Sequence, residues 1–173
     1  IKTIFLDRDG VINKDKNYVY KINDFEFIDG IFAACNNFER LGYKIIIITN
    51  QSGIARGFFT EKDYQILTKW LLARFNEHNI SILDIFYCPH DPESNCKCRK
   101  PQPGMFLQAK QKYNIDMANS WMIGDKETDI EVANLVGITN TILTRSGHKI
   151  NEKTSRAKFF SDSIKDVITI INS

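Results

Sequence analysis

Four short segments carry side chains that could act together on a phosphate: Asp7-Arg8-Asp9-Gly10-Val11, Thr49-Asn50-Gln51-Ser52-Gly53, Arg99-Lys100-Pro101 and Gly124-Asp125-Lys126-Glu127-Thr128-Asp129. Asp7, Asp9 and Asp125 offer an oxygen-rich pocket, and Mg²⁺ takes few carboxylates and keeps several waters. Thr49, Asn50, Lys100 and Lys126 bring donors that hold phosphate oxygens. A metal, a cation and a free carboxylate around one phosphate are the parts of phosphoryl transfer. One carboxylate can attack phosphorus and form an acyl phosphate. A second, two positions away, can protonate the leaving oxygen and then deprotonate the attacking water. Each segment alone is ordinary, since a lone Asp-x-Asp is usually a solvated turn and a Thr-Asn after a strand usually a turn or cap.

A fifth stretch, residues 88–101, suits different chemistry. Cys88-x-His90 and Cys96-x-Cys98 supply four sulfur or nitrogen donors, the number that zinc takes in a tetrahedron. With all four positions filled by protein, such a site is structural rather than catalytic. The alternative is a loop with unliganded surface thiols. Disulfides fit poorly, because Cys96 and Cys98 are too close to pair easily and a domain of this size needs no staples. Metal-bound thiolates in a reducing, cytoplasmic setting are expected instead. Cys98 runs directly into Arg99 and Lys100, so a metal that fixes the loop also fixes the lysine. Ordering the loop costs roughly 1–2 kcal/mol per residue, and structural zinc returns ~10–16 kcal/mol, so the two are comparable. Among the remaining donors, Cys35 lies on an apolar helical stripe and reads as core. His78 stands near a helix end, where a cation suits the dipole. His148 follows Ser146-Gly147 in a loop with no evident role.

The elements that must position these groups alternate. Residues 2–7, 43–48, 82–87, 120–123 and 139–143 read as apolar strands. Helical spacing or capping marks 31–41, a helix from the cap Thr60 to about Glu77, one opened by Pro103-Gly104 that fades near Asn114, one after Asp125 running to about Val136, and a last one from Ser161 with Ile164, Val167, Ile168 and Ile171 on its stripe. Apolar strands joined by helices predict an α/β, Rossmann-like parallel sheet covered on both faces. The four phosphate-directed segments each follow a strand, and ligands in such folds bind beyond the carboxyl ends of strands. One domain over residues 1–173 is expected, with no linker or repeat. Only about forty residues separate Asp7 from Thr49, enough for a loop and a helix but too few for a separate cap. The pocket should be open, bounded by the loop of residues 13–28 and by the cysteine loop. Arg99 could grip a second phosphate there, since a guanidinium meets phosphate with paired hydrogen bonds.

Charge and composition exclude other classes. A net charge of +2 is too small to argue for a nucleic-acid or membrane surface. The longest aliphatic run, Ile45 to Ile48, is far below the ~20 residues of a spanning helix. The opening residues do not read as a basic-then-apolar leader, and with Ile1 almost inside a strand some residues are expected to precede it. No Gly-x-x-x-x-Gly-Lys-Ser/Thr occurs, which removes a P-loop kinase. No exposed apolar helix stands out, so a monomer is expected.

Asp-x-Asp-Gly-Val, a strand ending in Thr49-Asn50, Lys100 and Gly-Asp-x-x-x-Asp resemble the four-motif order of the haloacid dehalogenase superfamily of phosphatases. Within it, Phe5-Leu-Asp-Arg-Asp-Gly, Phe25-Glu-Phe-Ile-Asp-Gly30, Thr49-Asn-Gln-Ser-Gly-Ile-Ala-Arg-Gly57, Tyr87-Cys-Pro-His90, Cys98-Arg-Lys-Pro and Pro103-Gly-Met105 are similar to the heptose bisphosphate phosphatases. The similarity spans nearly the whole chain and thins after Arg145. It implies a capless fold with Asp7 as nucleophile and Asp9 as general acid/base. It further implies Mg²⁺ held by Asp7, the backbone carbonyl of Asp9, and Asp125. Thr49 and Lys100 would steady the phosphoryl group. Asp15, Lys16, Asn17, Tyr18, Asn50, Gln51, Ser52, Arg99 and Lys126 would meet a phosphorylated sugar, and Asp129 would orient its neighbours. Cys88, His90, Cys96 and Cys98 would bind structural Zn²⁺. Two other readings stay open. The five residues between His90 and Cys96 resemble the histidinol-phosphate phosphatases, and a zinc-loop binding module without catalysis is the reading from another class. The joint presence of Asp7, Asp9, Thr49, Lys100 and Asp125 speaks against the second.

Overall fold

In a computed structural model of the protein, residues 1–172 are described, leaving Ser173 of the expected domain outside them. Six strands form one sheet: β1 (Thr3–Leu6), β2 (Lys44–Asn50), β3 (Ile82–Cys88), β4 (Trp121–Gly124), β5 (Asn140–Thr144) and β6 (Phe159–Ser161). Their order is β3-β2-β1-β4-β5-β6, and every neighbouring pair is parallel. The central strands β1 and β2 are apolar on both sides of the pleat because both of their faces are covered. Successive residues point to opposite sides. Ile4, Leu6, Ile45 and Ile47 meet Phe38 of α1 (Ile31–Arg40) and Leu71 and Phe75 of α2 (Glu61–Glu77). Phe5, Ile46 and Ile48 meet Phe106 of α3 (Gly104–Tyr113) and Val132 and Ala133 of α4 (Glu127–Leu135). Each of these buried Ile, Leu, Val and Phe side chains contributes ~1.5–3 kcal/mol relative to exposure. Cys35 lies in the first of these layers, as its stripe implied.

Local signals explain where the helices begin. Thr60 caps α2, its Oγ1 accepting from the Asp63 N–H at 3.1 Å, and the Asp63 carboxylate accepts in turn from the Thr60 N–H at 2.9 Å. His78 closes that helix with Nδ1 2.9 Å from the Arg74 carbonyl and its ring stacked on Phe32.

The C-terminal segment departs from its sequence pattern. Ser161 does not start an α-helix: it ends β6, and the helix that follows is a 3-10 helix, Ile164–Thr169, capped by Ser163. Phe159 and Phe160 favour a strand, and Phe159 stacks on Trp121 while the segment pairs with β5. Ile164 and Val167 are three apart, so a 3-10 turn buries both as well as an α-turn would.

β1 has β2 on one side and β4 on the other, so the chain reverses its direction of winding there. The crevice beyond the carboxyl ends at such a point is the usual ligand site of doubly wound sheets. Between β1 and β2 the chain forms only a loop, a short 3-10 turn and α1, and between β2 and β3 a turn region and α2. Among the described residues no helix is long and apolar enough to cross a membrane.

Candidate active site and cysteine cluster

Asp7 leaves β1, Asp125 leaves β4, and Asp129 sits in the first turn of α4; all three are buried, with carboxylate oxygens within 4.8 Å of one another. Asp129 is locked by the helix it starts, accepting through Oδ2 from the N–H groups of Asp125 (3.2 Å) and Lys126 (3.1 Å). Lys100 reaches in from the cysteine loop. Its Nζ stands 3.0 Å from Asp7 Oδ1, 2.7 Å from Asp129 Oδ1 and 3.0 Å from the Ile48 carbonyl. Asn50 fixes the lysine's backbone, its Oδ1 accepting from the Lys100 N–H and its Nδ2 donating to the Lys100 carbonyl. The amide that the sequence suggested for phosphate therefore also aims the lysine.

Three carboxylates against one ammonium leave this floor short of positive charge. Burial pushes the Asp7 carboxyl up from 3.8 to about 7, with Lys100 pulling it down and Asp125 pushing it further up. Burial, then repulsion from Asp129, raises Asp125 to about 6. Burial also raises Asp129, outweighing Lys100. For Lys100 burial favours loss of the proton, but Asp129 and Asp7 outweigh it and hold the ammonium above the ordinary lysine value. Asp125 Oδ1 is buried without any hydrogen-bond partner. An all-oxygen donor set with surplus negative charge and an unpartnered oxygen fits a hard divalent cation such as Mg²⁺. Close approach of backbone makes room for Asp125: a Cβ at Gly10 (φ 91°) or at Gly147 would lie 2.1 or 2.0 Å from its Oδ2.

The Asp9 carboxylate is not part of this cluster. Its Oδ1 accepts from Arg8 Nη2 (3.1 Å) and Asn13 Nδ2 (3.0 Å), and its Oδ2 from Gln51 Nε2 (3.1 Å). Gln51 also donates to Thr49 Oγ1 at 2.9 Å, joining the two strand ends.

Above the floor lie two adjoining recesses that share Asp9, Asp15, Asn50 and Lys126. The inner one adds Asp7, Lys100 and Asp129; the outer one adds Asn17, Tyr18, Gln51, Ser52 and Arg99. Arg99 Nη1 is buried with no partner. Asn17 and Tyr18 both have left-handed φ (59° and 63°), a conformation that needs support in non-glycine residues. The Asn17 N–H bonds to Asp15 Oδ1 at 3.0 Å, and the Tyr18 ring packs on Phe58. Lys16 is not brought in: its Nζ pairs with Glu26 at 3.2 Å outside both recesses. Three lining residues escaped the sequence reading, and one of them, Thr128 of the inner recess, lies in the segment already singled out after β4. Arg56 lies in the segment already singled out after β2, but nothing in its spacing separates it from a surface arginine. His148 follows β5, and the strand-end rule extended to that fifth strand points to it.

Cys88 Sγ, His90 Nδ1, Cys96 Sγ and Cys98 Sγ converge within 4.8 Å of one another. Tetrahedral zinc with ordinary bond lengths places two sulfurs about 3.8 Å apart and sulfur and nitrogen about 3.5 Å apart. The distances here are 3.7 Å (Cys88–Cys96), 3.4 Å (Cys88–His90) and 3.1 Å (His90–Cys98). The cluster fits zinc with all positions taken by protein.

A parallel sheet of this order, with an Asp-x-Asp strand end facing a buried lysine and further carboxylates across the reversal of winding, defines a hydrolase of the haloacid dehalogenase class. A HAD-hydrolase-like family model matches residues 97–168. The D-glycero-alpha-D-manno-heptose-1,7-bisphosphate 7-phosphatase of Photorhabdus laumondii is 48% identical over 91% of this chain and 90% of its own. The D-glycero-beta-D-manno-heptose-1,7-bisphosphate 7-phosphatase of Vibrio cholerae is 46% identical over 95% and 92%. Among solved structures, the D,D-heptose 1,7-bisphosphate phosphatase of B. bronchiseptica, complexed with magnesium and phosphate, superposes with a TM-score of 0.86 at 27% identity, covering 98% of this chain and 97% of its own. The chain belongs to the D-glycero-D-manno-heptose-1,7-bisphosphate 7-phosphatase family.

Proposed function

We propose that the protein is a Mg²⁺-dependent phosphatase that removes the 7-phosphate of D-glycero-D-manno-heptose 1,7-bisphosphate, in the service of nucleotide-activated heptose synthesis. The observation that carries this reading is the pair of adjoining recesses. The inner one holds Asp7 and Lys100, and the outer one holds Arg56 and Arg99, so a sugar with a phosphate at each end meets a reacting group at one end and guanidinium groups at the other.

In this reading Asp7 attacks phosphorus, the P–O7 bond breaks, and Asp9 gives its proton to the departing sugar oxygen. The product on the protein is an aspartyl phosphate. Asp9, now ionised, takes a proton from water as the water oxygen attacks phosphorus, which releases inorganic phosphate and frees Asp7. Lys100 neutralises phosphoryl oxygens beside Asp7, and Thr49, oriented by Gln51, donates to one of them. Asp7, Asp125 and the Asp9 carbonyl would hold Mg²⁺, which supplies charge neutralisation at the transferring group. Asp129 keeps Lys100 and the Asp125 backbone in place. Cys88, His90, Cys96 and Cys98 would hold Zn²⁺ and shape the loop that carries Arg99 and Lys100. Asp15, Asn17, Tyr18, Asn50, Ser52 and Lys126 would contact the sugar. Lys16, turned to Glu26, would act only if the loop rearranged. In this reading the domain works as a cytoplasmic monomer on a small phosphorylated sugar.

The short His90–Cys96 spacer favours a second reading, a histidinol-phosphate phosphatase. Phosphate release with Mg²⁺ from both anomers of heptose 1,7-bisphosphate and from histidinol phosphate separates the two. A large preference for the bisphosphate is expected and identifies the anomer, which matters because the relatives above are named for both. A preference for histidinol phosphate would overturn the substrate reading.

A further inference from the structure

Four strand ends account for the chemistry above, yet a fifth enters the same site. After β5 the chain is pinned against the nucleophile loop: Ser146 Oγ donates to the Gly10 carbonyl at 2.7 Å. Gly147 then lies against the Asp125 carboxylate. This delivers His148, whose Nδ1 is 2.6 Å from Asp125 Oδ2 and whose Nε2 is 3.3 Å from Asp15 Oδ2. We propose that His148 is a positioning residue that fixes the carboxylate of Asp125 and ties it to the sugar-binding loop at Asp15.

The two oxygens of Asp125 are unequally used. Oδ2 meets the imidazole, while Oδ1 is buried and without a partner. A carboxylate held at one oxygen presents the other in a fixed direction. Partners of this kind orient metal ligands, and their loss typically weakens metal affinity by about 10–100-fold. Asp15 is divided in the same way: its Oδ1 accepts from the Asn17 N–H and organises the strained turn, and its Oδ2 faces His148. One imidazole therefore touches the carboxylate that closes the floor and the loop that walls the outer recess. The inference rests on the reading of Asp125 as a Mg²⁺ ligand.

The test measures Mg²⁺ binding directly, through the Mg²⁺-dependent rise in melting temperature of zinc-replete protein, alongside KM and kcat for the bisphosphate. His148→Ala should raise the Mg²⁺ half-saturation about 10–100-fold and raise KM more than it lowers kcat at saturating Mg²⁺. His148→Asn keeps a donor near the Nδ1 position and lacks Nε2. It should bring Mg²⁺ affinity back to within about threefold of wild type while KM stays raised. Mg²⁺ half-saturation within about threefold of wild type in His148→Ala, with the response lost in Asp125→Asn, would overturn the role of His148 alone. An unchanged response in Asp125→Asn would instead overturn the metal reading on which it rests.

Discussion

Replacing the proposed nucleophile should make the Mg²⁺-free protein more stable, by an amount that depends on pH. Asp7 is buried, and its carboxyl rises from 3.8 to about 7 on folding. The native state therefore holds this proton more tightly than the unfolded chain. The stability associated with the neutral acid is fully present below the lower value and is lost as pH rises through the upper one. A tenfold difference in proton affinity between the folded and unfolded states is worth about 1.4 kcal/mol, so the ionised carboxylate destabilises the fold by up to about 4 kcal/mol above pH 7 and by little near pH 4. Asp7→Asn abolishes that charge. Lys100 keeps Asp129 and the Ile48 carbonyl, so the loss of one partner leaves it paired. The advantage of Asp7→Asn over wild type should then grow by about 2 kcal/mol between about pH 5.5 and about pH 8. In a domain of this size that is about 4–8 °C in melting temperature. The assay is thermal unfolding of both proteins in Mg²⁺-free buffer, with zinc content checked, at several pH values. Added Mg²⁺ should stabilise wild type more than the variant and narrow the gap. Parallel pH profiles, or a variant less stable than wild type at the alkaline end, would refute the idea that the floor carries uncompensated negative charge.

Asp7→Asn should also lose turnover, and activity within about tenfold of wild type would remove it as nucleophile. Asp9→Asn should slow both half-reactions by about 10²–10⁴-fold; aspartyl phosphate trapped by rapid acid quench supports that role, and two unslowed steps contradict it. Arg56→Ala should raise KM for the bisphosphate while leaving KM for a small aryl phosphate unchanged, and an equal rise for both would place Arg56 outside the far-end contact. Cys96→Ser should lose zinc and most of kcat/KM with the sheet intact by circular dichroism, whereas full activity in the zinc-free variant would separate the cluster from the active site.

The core of the fold was legible because it depends on repeating pattern. Isoleucine runs predict buried parallel strands, and the rule that ligands sit past strand ends then gathers Asp7, Thr49, Lys100 and Asp125 without any coordinates. The same rule failed at β5 only because Ser146-Gly147-His148 carries no carboxylate or lysine to draw attention. The 3-10 helix was misread because Ile164, Val167, Ile168 and Ile171 satisfy an α-helical stripe, while the pairing that makes β6 depends on Phe159 meeting Trp121, a contact far off in sequence. Lys16 turns outward for a related reason: its neighbours Asp15 and Asn17 line the recess, and which way an exposed lysine turns is decided by Glu26, ten residues on. Local periodicity reports burial. Partner choice among polar side chains is a tertiary property.

The cysteine cluster and the chemistry are adjacent in sequence, but they do not depend on each other equally at Arg99 and Lys100. Lys100 is restrained three times over, by Asn50 on its backbone and by Asp7 and Asp129 on its ammonium. The two ion pairs are buried, the Asn50 contact is partly so, and none of the three passes through the loop. The Arg99 carbonyl accepts from the Gln102 N–H at 2.7 Å, but its side chain has no such anchors and its Nη1 lacks any partner. The Gly104 N–H donates to the Lys97 carbonyl at 2.8 Å and fastens the backbone between Cys96 and Cys98, so what the metal adds is the tie of this segment to Cys88 and His90. Loss of zinc should therefore reach Arg99 first. The loss in kcat/KM of Cys96→Ser should fall mainly on KM for the bisphosphate, with kcat at saturation retained much better. An equal fall in both would mean that the metal, rather than Asn50 and the carboxylates, holds Lys100 in place.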